Sequence, residues 1–342
     1  MTRTSTNFES YCNALVAELE QSLGDKQGLL FDLIRYQLGW ADPQGTPLPR
    51  LQWQKPNLKS NLCLLACEIL CGDYRPALPA AAGLEFIHTF TVVHNDVQDG
   101  RPQIEERPSI WWLWGPGQAI NAGDGFYALG RAALLRLQNR GVPVSKVLEA
   151  LCVLDQACIT MCEGQYMDLA FQERVDLSLG DYIKMVEFKS GAIMSCAMEI
   201  GALLAVDDRR IIEAFRLCGR KLGILSEIQE SILGLWGGVN AQPPSPEVFN
   251  KKKSFPIVQT LENGDLKTKR KLGAIYFKRV LEPKDVQEIL DVLDICDARN
   301  AAEAAAGTYF HEAMSALDDL DLPSQGLRQI QEVGQGILRC QM

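Results

Sequence analysis

No stretch of this chain is a convincing membrane span: the longest apolar run, Gly191 to Val206, is short and carries Glu199. The N-terminal MTRTSTNFESYCNALVAELE lacks an apolar signal core. A long basic run is also missing, and the formal charge is -9, from 34 Lys and Arg against 43 Asp and Glu. These absences exclude a surface built for nucleic acid and argue against a protein that crosses or enters a membrane. An acidic protein that binds an anion must concentrate its few cations or recruit metal ions.

Disulfide and zinc chemistry find little support. The eleven cysteines are odd in number and dispersed through apolar helical text. Cys63, Cys67 and Cys71 form an i, i+4, i+8 stripe, but no histidine lies near them in sequence. They read as buried free thiols in a reducing cytoplasm. Alternating strand patterns and internal repeats of fixed period are absent as well.

What is present is the composition of a globular protein, 47% hydrophobic and 23% charged. Helical periodicity covers residues 8–23, 27–39, 57–72, 79–99, 118–138, 144–172, 180–206, 208–236, 255–263, 265–281, 283–316 and 324–340. Pro and Gly clusters punctuate these segments, the longest being GGVNAQPPSPEVFN from Gly237, which reads as a surface loop because apolar helical text resumes beyond it. The expectation is one all-α domain spanning residues 1–342, built from about a dozen helices.

Two segments carry clustered oxygen donors. In AGLEFIHTFTVVHNDVQDG, Leu84, Ile87, Thr91, His94 and Asn95 fall on or near one face; Asn95 and Asp99 are one turn apart, and Asp96 adds a third donor. Carboxylates at the end of an apolar helix are costly unless something positive sits between them, and Mg2+ shared with substrate phosphates would serve. The plain alternative is a solvated last turn capped by Gly100. In GRKLGILSEIQESILGLWGG, Glu227, Glu230 and Ser231 share a face, and facing acidic helices clamp metals in helical bundles. Taken alone, this second group reads more simply as an ordinary surface patch. Between and beyond them lie Gln165 and Asp168 in MCEGQYMDLAF, Lys189 in EFKSGAIM and the lysines of NKKKSFP, which can contact phosphate as point charges.

In order and spacing these segments resemble the trans-prenyl diphosphate synthase family, the polyprenyl synthetases, over nearly the whole chain. The strongest stretches are HNDVQDG, RPSIWWLWGPGQAINAGDGFYALG, CEGQYMDL, DYIKMVEFKSGAI, LGILSEIQESILGLWG and KKKSFPIV. The resemblance implies an all-α isoprenoid-synthase (terpenoid synthase) bundle around a deep apolar pocket, with Mg2+ and diphosphate at its mouth, and a homodimer. The family's first Asp-rich motif falls on Asn95, Asp96 and Asp99, so its first carboxylate is an amide here. The second falls on Glu230, Ser231 and Gly234, with Glu227 where Gln is usual. Lys189 and Lys252 match the lysines that contact the allylic diphosphate, and Gln165 and Asp168 also match.

The half that grips isopentenyl diphosphate departs from the pattern. GKRxRP reads KPNLKS, with Pro56 at the lysine and Lys59 at the final arginine, and the arginine pair after the first motif falls on Ile104 and Glu105. The resemblance implies that one of that pair serves each diphosphate; losing three basic contacts in all, at about 1.5–3 kcal/mol each, removes roughly 4–9 kcal/mol, on the order of a thousandfold or more in affinity. Lys55 and Arg107 are nearby cations out of register.

The expected function is a Mg2+-dependent terpene synthase that ionises a linear allylic prenyl diphosphate and cyclises or rearranges it, or passes it to another acceptor. A catalytically degraded subunit that tunes an active homologue, and a residual prenyl diphosphate synthase, are the alternatives. Water quenches carbocations and ring faces stabilise them. Phe86, Phe90, Trp111, Trp112, Trp114 and Trp236 are therefore candidate wall residues, although core packing is the simpler reading of each. Phe90, five residues before Asn95, stands where the family limits pocket depth, which suggests a substrate of about fifteen to twenty carbons.

Overall fold

The computed structural model describes residues 8–50, 56–104, 107–237 and 246–339. Helices dominate: α1 (Phe8–Leu23), α2 (Leu29–Gln37), α3 (Leu58–Cys71), α4 (Leu78–Gln98), α5 (Ile110–Trp114), α6 (Pro116–Leu135), α7 (Val144–Phe171), α8 (Leu179–Val186), α9 (Ala192–Ala205), α10 (Arg209–Trp236), α11 (Pro246–Phe249), α12 (Phe255–Asn263), α13 (Leu266–Tyr276), α14 (Pro283–Ile295), α15 (Ala298–Ser315) and α16 (Ser324–Leu338). The all-α expectation holds. Among the described residues, the one sheet is a two-residue antiparallel ribbon, β1 (Gln103–Ile104) with β2 (Arg107–Pro108). A ribbon that short carries no periodic signal.

Two compact units emerge. Among the described residues, one comprises those up to Leu154 together with Ala197–Ile212, and the other Asp155–Cys196 together with those from Glu213 onward. Within the first, α4 enters on Pro79, whose fixed φ suits a first helical turn. It crosses α6 where Gly83 and Gly130 face each other: a Cβ on Gly83 would lie 2.8 Å from the Gly130 carbonyl. Small residues therefore set the approach of the two helices, and Phe86 packs on Phe126 beside the crossing, both fully buried. Glycine also seats α9 on α3, since a Cβ at Gly201 would meet the Cys63 carbonyl at 2.3 Å.

In the second unit, the segment read as one helix over 180–206 is interrupted by a π-helical turn, Glu187–Gly191, between α8 and α9. Gly164 of α7 lies against this turn, 2.4 Å from the Lys189 nitrogen for an added Cβ, and Gly223 of α10 lies 2.6 Å from the Ser190 carbonyl. No side chain fits between these backbones. A cluster of buried residues, including Leu235, Ile257, Leu272, Tyr276, Ile289 and Leu293, joins α10 and α12–α14.

The helix expected over 283–316 is two. Asp297 adopts φ 53° between α14 and α15, a left-handed conformation that Asp tolerates through local hydrogen bonding; Asn300 Nδ2 donates to its carboxylate at 2.6 Å.

Ten cysteines are described and all are free. Two helical stretches, Arg75–Gln98 and Leu179–Ala205, are long and apolar enough to cross a membrane, but 72% and 61% of their apolar windows are buried inside the structure, as core helices are.

Candidate active site

In the first unit, the acidic motif closes α4. Asn95 and Asp96 occupy its last turn, and the chain leaves at Asp99, whose amide donates to the Asn95 carbonyl at 2.8 Å. Gly100 then takes φ 62°, a conformation glycine adopts freely, and turns the chain so that Arg101 folds back. The Arg101 amide donates to the Asp96 carbonyl at 3.0 Å, and its Nη2 donates to Asp99 Oδ2 at 2.6 Å. The return is fastened by Ser109 Oγ and Trp111 Nε1, which donate to the Arg101 carbonyl at 2.9 and 2.5 Å. Burial pushes the Asp96 carboxyl up to about 6; Arg101 opposes the shift and the neighbouring Asp99 charge adds to it.

One face of α4 is turned to α6. The Phe90 ring lies 4.8 Å from His94 and 5.6 Å from Tyr127, and Gly123 makes room for the His94 imidazole. His94 Nε2 sits 3.3 Å from the Ile120 carbonyl and 3.7 Å from Asp124. Thr91 Oγ1 donates to the His88 carbonyl at 2.7 Å, which is a helix-internal role.

The segment read as the remains of the isopentenyl diphosphate grip begins α3. Asn57 is its N-cap, accepting from the Lys59 and Ser60 amides at 2.7 and 3.3 Å. The buried Glu85 of α4 accepts from Asn57 N, Asn57 Nδ2 and Ser60 Oγ at 3.0, 2.7 and 2.7 Å. Burial and the Lys59 charge hold His88 well below the usual imidazole range, so a neutral ring faces that lysine. His88 carries no sequence signal of its own, because the charge it faces comes from Lys59 on a different helix, α3. Arg107 is committed elsewhere: its guanidinium lies 4.5 Å from the Tyr36 ring centroid and donates to the Tyr36 carbonyl. Lys55 and Glu105 lie outside the described residues.

In the second unit, α7, the π turn and α10 bring together Asp168, Lys189 and Glu227. Lys189 Nζ donates to Asp168 Oδ2 at 3.1 Å and to Glu227 Oε1 at 3.0 Å. Lys252, from the loop before α12, lies 3.5 Å from the same Asp168 oxygen. Ser190 donates to the other Glu227 oxygen. Tyr182 Oη and Ser231 Oγ are 3.3 Å apart, and Ser231 also donates to the Glu227 carbonyl at 2.9 Å. Burial works against charge on Asp168, yet Lys189 and Lys252 more than offset it and hold the carboxyl below its ordinary value. The same balance holds for Glu227: burial opposes its charge, while Lys189 and the Ser190 hydroxyl win. Ser190 and Tyr182 were not anticipated, because a π turn breaks the i, i+4 register on which face assignments rest. Gln165 lies one turn before Asp168 on α7, half-buried, and Glu230 is exposed on α10 with Ser226 Oγ 3.3 Å away.

Lys253, next to Lys252, is buried over the Tyr276 ring at 4.3 Å from its centroid and donates to the Gln172 carbonyl at 2.7 Å. Burial, with the Lys251 charge, lowers its ammonium to about 8, against a smaller opposing pull from Glu173. It anchors the loop that presents Lys252.

The aromatic expectations divide. Phe86 is core, packed on Phe126, and Trp111 is tied to the Arg101 carbonyl. Trp112 is 61% exposed, which corrects its assignment as a wall residue of an enclosed pocket: α5 is a single short turn and presents that ring outward. Trp114 meets Tyr36 edge to face with ring centroids 5.0 Å apart, and Trp236 Nε1 donates to Asp294 at 3.0 Å, leaving both in structural roles.

No group of three or more His, Cys, Asp or Glu side chains among the described residues forms a preassembled metal cage. The donors present are carboxylates in small sets, Asp96 with Asp99 and Glu227 with Glu230. Such sets fit Mg2+, which keeps waters and takes its remaining ligands from substrate phosphates.

The fold is the all-α isoprenoid-synthase fold: a polyprenyl synthetase structure from Streptomyces coelicolor superimposes with a TM-score of 0.87 over 96% of this chain and 98% of that one, at 24% identity. The chain belongs to the polyprenyl synthetase family, whose model matches residues 56–293. It is 30% identical to a (2E,6E)-farnesyl diphosphate synthase of Mycobacterium tuberculosis over 77% of this chain and 72% of that protein. A geranylgeranyl diphosphate synthase of the same organism is 27% identical, over 88% and 85%.

Proposed function

We propose that this chain is a Mg2+-dependent enzyme that ionises an allylic prenyl diphosphate of about fifteen to twenty carbons without using isopentenyl diphosphate, in the manner of a terpene synthase, within one isoprenoid-synthase domain spanning residues 1–342. The observation that carries this reading is the commitment of Arg107 to Tyr36. With Pro56 and Ile104 in place of cations, the described arginines on either side are already engaged, Arg107 with Tyr36 and Arg101 with Asp99, whereas both lysines of the allylic side are kept.

Lys189 and Lys252 bind the leaving diphosphate as point charges, and Gln165, one turn before Asp168 on α7, offers an amide. Asp96 and Asp99, with the Asn95 amide oxygen, and Glu227 with Glu230 would hold Mg2+, which supplies charge neutralisation on the departing diphosphate. Phe90 bounds the chain-length end of the substrate. Without an anchored acceptor, the allylic cation cyclises, loses a proton, meets water or alkylates another acceptor.

The names of the relatives favour a second reading, ordinary chain elongation to a longer prenyl diphosphate. One experiment separates the two: purified protein, Mg2+, and geranyl, farnesyl or geranylgeranyl diphosphate with and without isopentenyl diphosphate. Hydrocarbon or alcohol formed without the acceptor supports the terpene synthase. A longer diphosphate formed only with it establishes elongation, and turnover only beside an active homologue establishes a regulatory subunit.

The same proposal extends to assembly and location. Leu148, Ile159 and Tyr166 are exposed along one face of α7, which suits a second copy of this chain, and the free thiols suit a reducing cytoplasm.

A further inference from the structure

Glu227 changes the charge of the lysine cluster. Lys189 touches two carboxylates at 3.1 and 3.0 Å, Lys252 lies 3.5 Å from one of them, and none of the four side chains is more than 17% exposed. Two lysines and two carboxylates sum to zero. A neutral amide at position 227, as the family resemblance implies, would leave one net positive charge to meet a diphosphate. The pairing is also held from behind: Ser190 donates to the second Glu227 oxygen, and Gly164 and Gly223 pin the π turn, so the Lys189 backbone has no room to withdraw. An arriving anion must break the ion pair at the side chains.

We infer that Glu227 is an internal rival of the substrate diphosphate for Lys189, so that diphosphate enters this half of the site only in company with a divalent cation that satisfies the Glu227 carboxylate. This rests on the proposed diphosphate chemistry and deepens it: the position makes anion binding conditional on metal. Charges within about 6 Å in a partly buried setting interact strongly enough to change affinity on the order of ten- to a hundredfold.

The test is calorimetric titration of the full chain with inorganic diphosphate, in EDTA and in Mg2+, for the wild type and Glu227→Gln, with circular dichroism verifying the fold. The wild type is expected to bind weakly in EDTA and tightly in Mg2+. Glu227→Gln is expected to bind on the order of ten- to a hundredfold more tightly than the wild type in EDTA, and to gain less from Mg2+. Equal dissociation constants for the two proteins in EDTA overturn the inference and leave the proposed function standing; absence of wild-type binding even with Mg2+ overturns both. Should Glu227→Gln fail to fold, Asp168→Asn makes the same change of net charge. A gain in EDTA is expected there too, and no gain overturns the inference.

Discussion

Arg101 holds Asp99 across a single glycine, with 2.6 Å between Nη2 and Oδ2 and the Asp99 side chain fully shielded from solvent. A buried carboxylate deprived of its cation is costly, so Arg101→Ala should destabilise the metal-free protein by about 1–3 kcal/mol. Millimolar Mg2+ should recover much of that loss by taking the guanidinium's place. Denaturant melts with and without Mg2+ measure both effects, and a loss that Mg2+ leaves untouched removes Asp99 from the metal donors.

Asp99→Ala should abolish release of inorganic diphosphate from farnesyl or geranylgeranyl diphosphate, a fall of at least about a hundredfold in kcat. A phosphate-coupled assay reads this directly. Retained release would show that ionisation does not depend on this carboxylate.

The raised carboxyl of Asp96 makes a pH prediction. Its folded value of about 6 lies above the ordinary Asp value of 3.8, so the folded state holds this proton more tightly than the unfolded chain does. The stabilisation is fully present below the unfolded value and is lost as pH rises through about 6. In EDTA, the wild type should lose about 2 kcal/mol relative to Asp96→Asn between pH 4 and 7. Parallel stability profiles for the two proteins would contradict the burial argument.

Arginines at positions 104 and 105 should rebuild part of the missing anion grip. Ile104→Arg with Glu105→Arg is expected to tighten isopentenyl diphosphate by about tenfold or more, since two charge-assisted contacts are added and one repulsive charge is removed. An unchanged dissociation constant would place the loss elsewhere, with Arg107 and its Tyr36 partner the next position to alter.

If α7 is covered by a second copy of the chain, Ile159→Asp should convert a dimer to a monomer in light scattering while keeping its helical circular dichroism. A monomeric wild type would refute the pairing.

Much of this architecture was legible because buried helices write their period into the sequence. The end of α4 and the start of α7 fall within a residue of their expected places, and Pro79, Gly83 and Gly100 mark where α4 starts, packs and turns. Two errors share one cause. The π turn at Glu187–Gly191 and the reversal at Asp297 are backbone events a residue or two long, and the apolar pattern on either side continues as though nothing had happened. Asp168, Lys189, Glu227 and Lys252 each stand out in the sequence, but their mutual ion pairing does not, since it joins α7, the π turn, α10 and the loop before α12 across long sequence separations. Arg107 was read as a spare cation because nothing local in its sequence reports Tyr36, seventy-one residues away.

The glycine-lined seat of the π turn has a bearing on redesign. Any side chain at Gly164 would collide with the backbone nitrogen of Lys189, and any at Gly223 with the carbonyl of Ser190, so both positions are closed to variation even though neither carries a reacting group. Libraries that vary this chain should leave that pair untouched and spend their diversity elsewhere, for example along the α4 and α6 faces around Phe90 and Tyr127, whose rings meet at 5.6 Å.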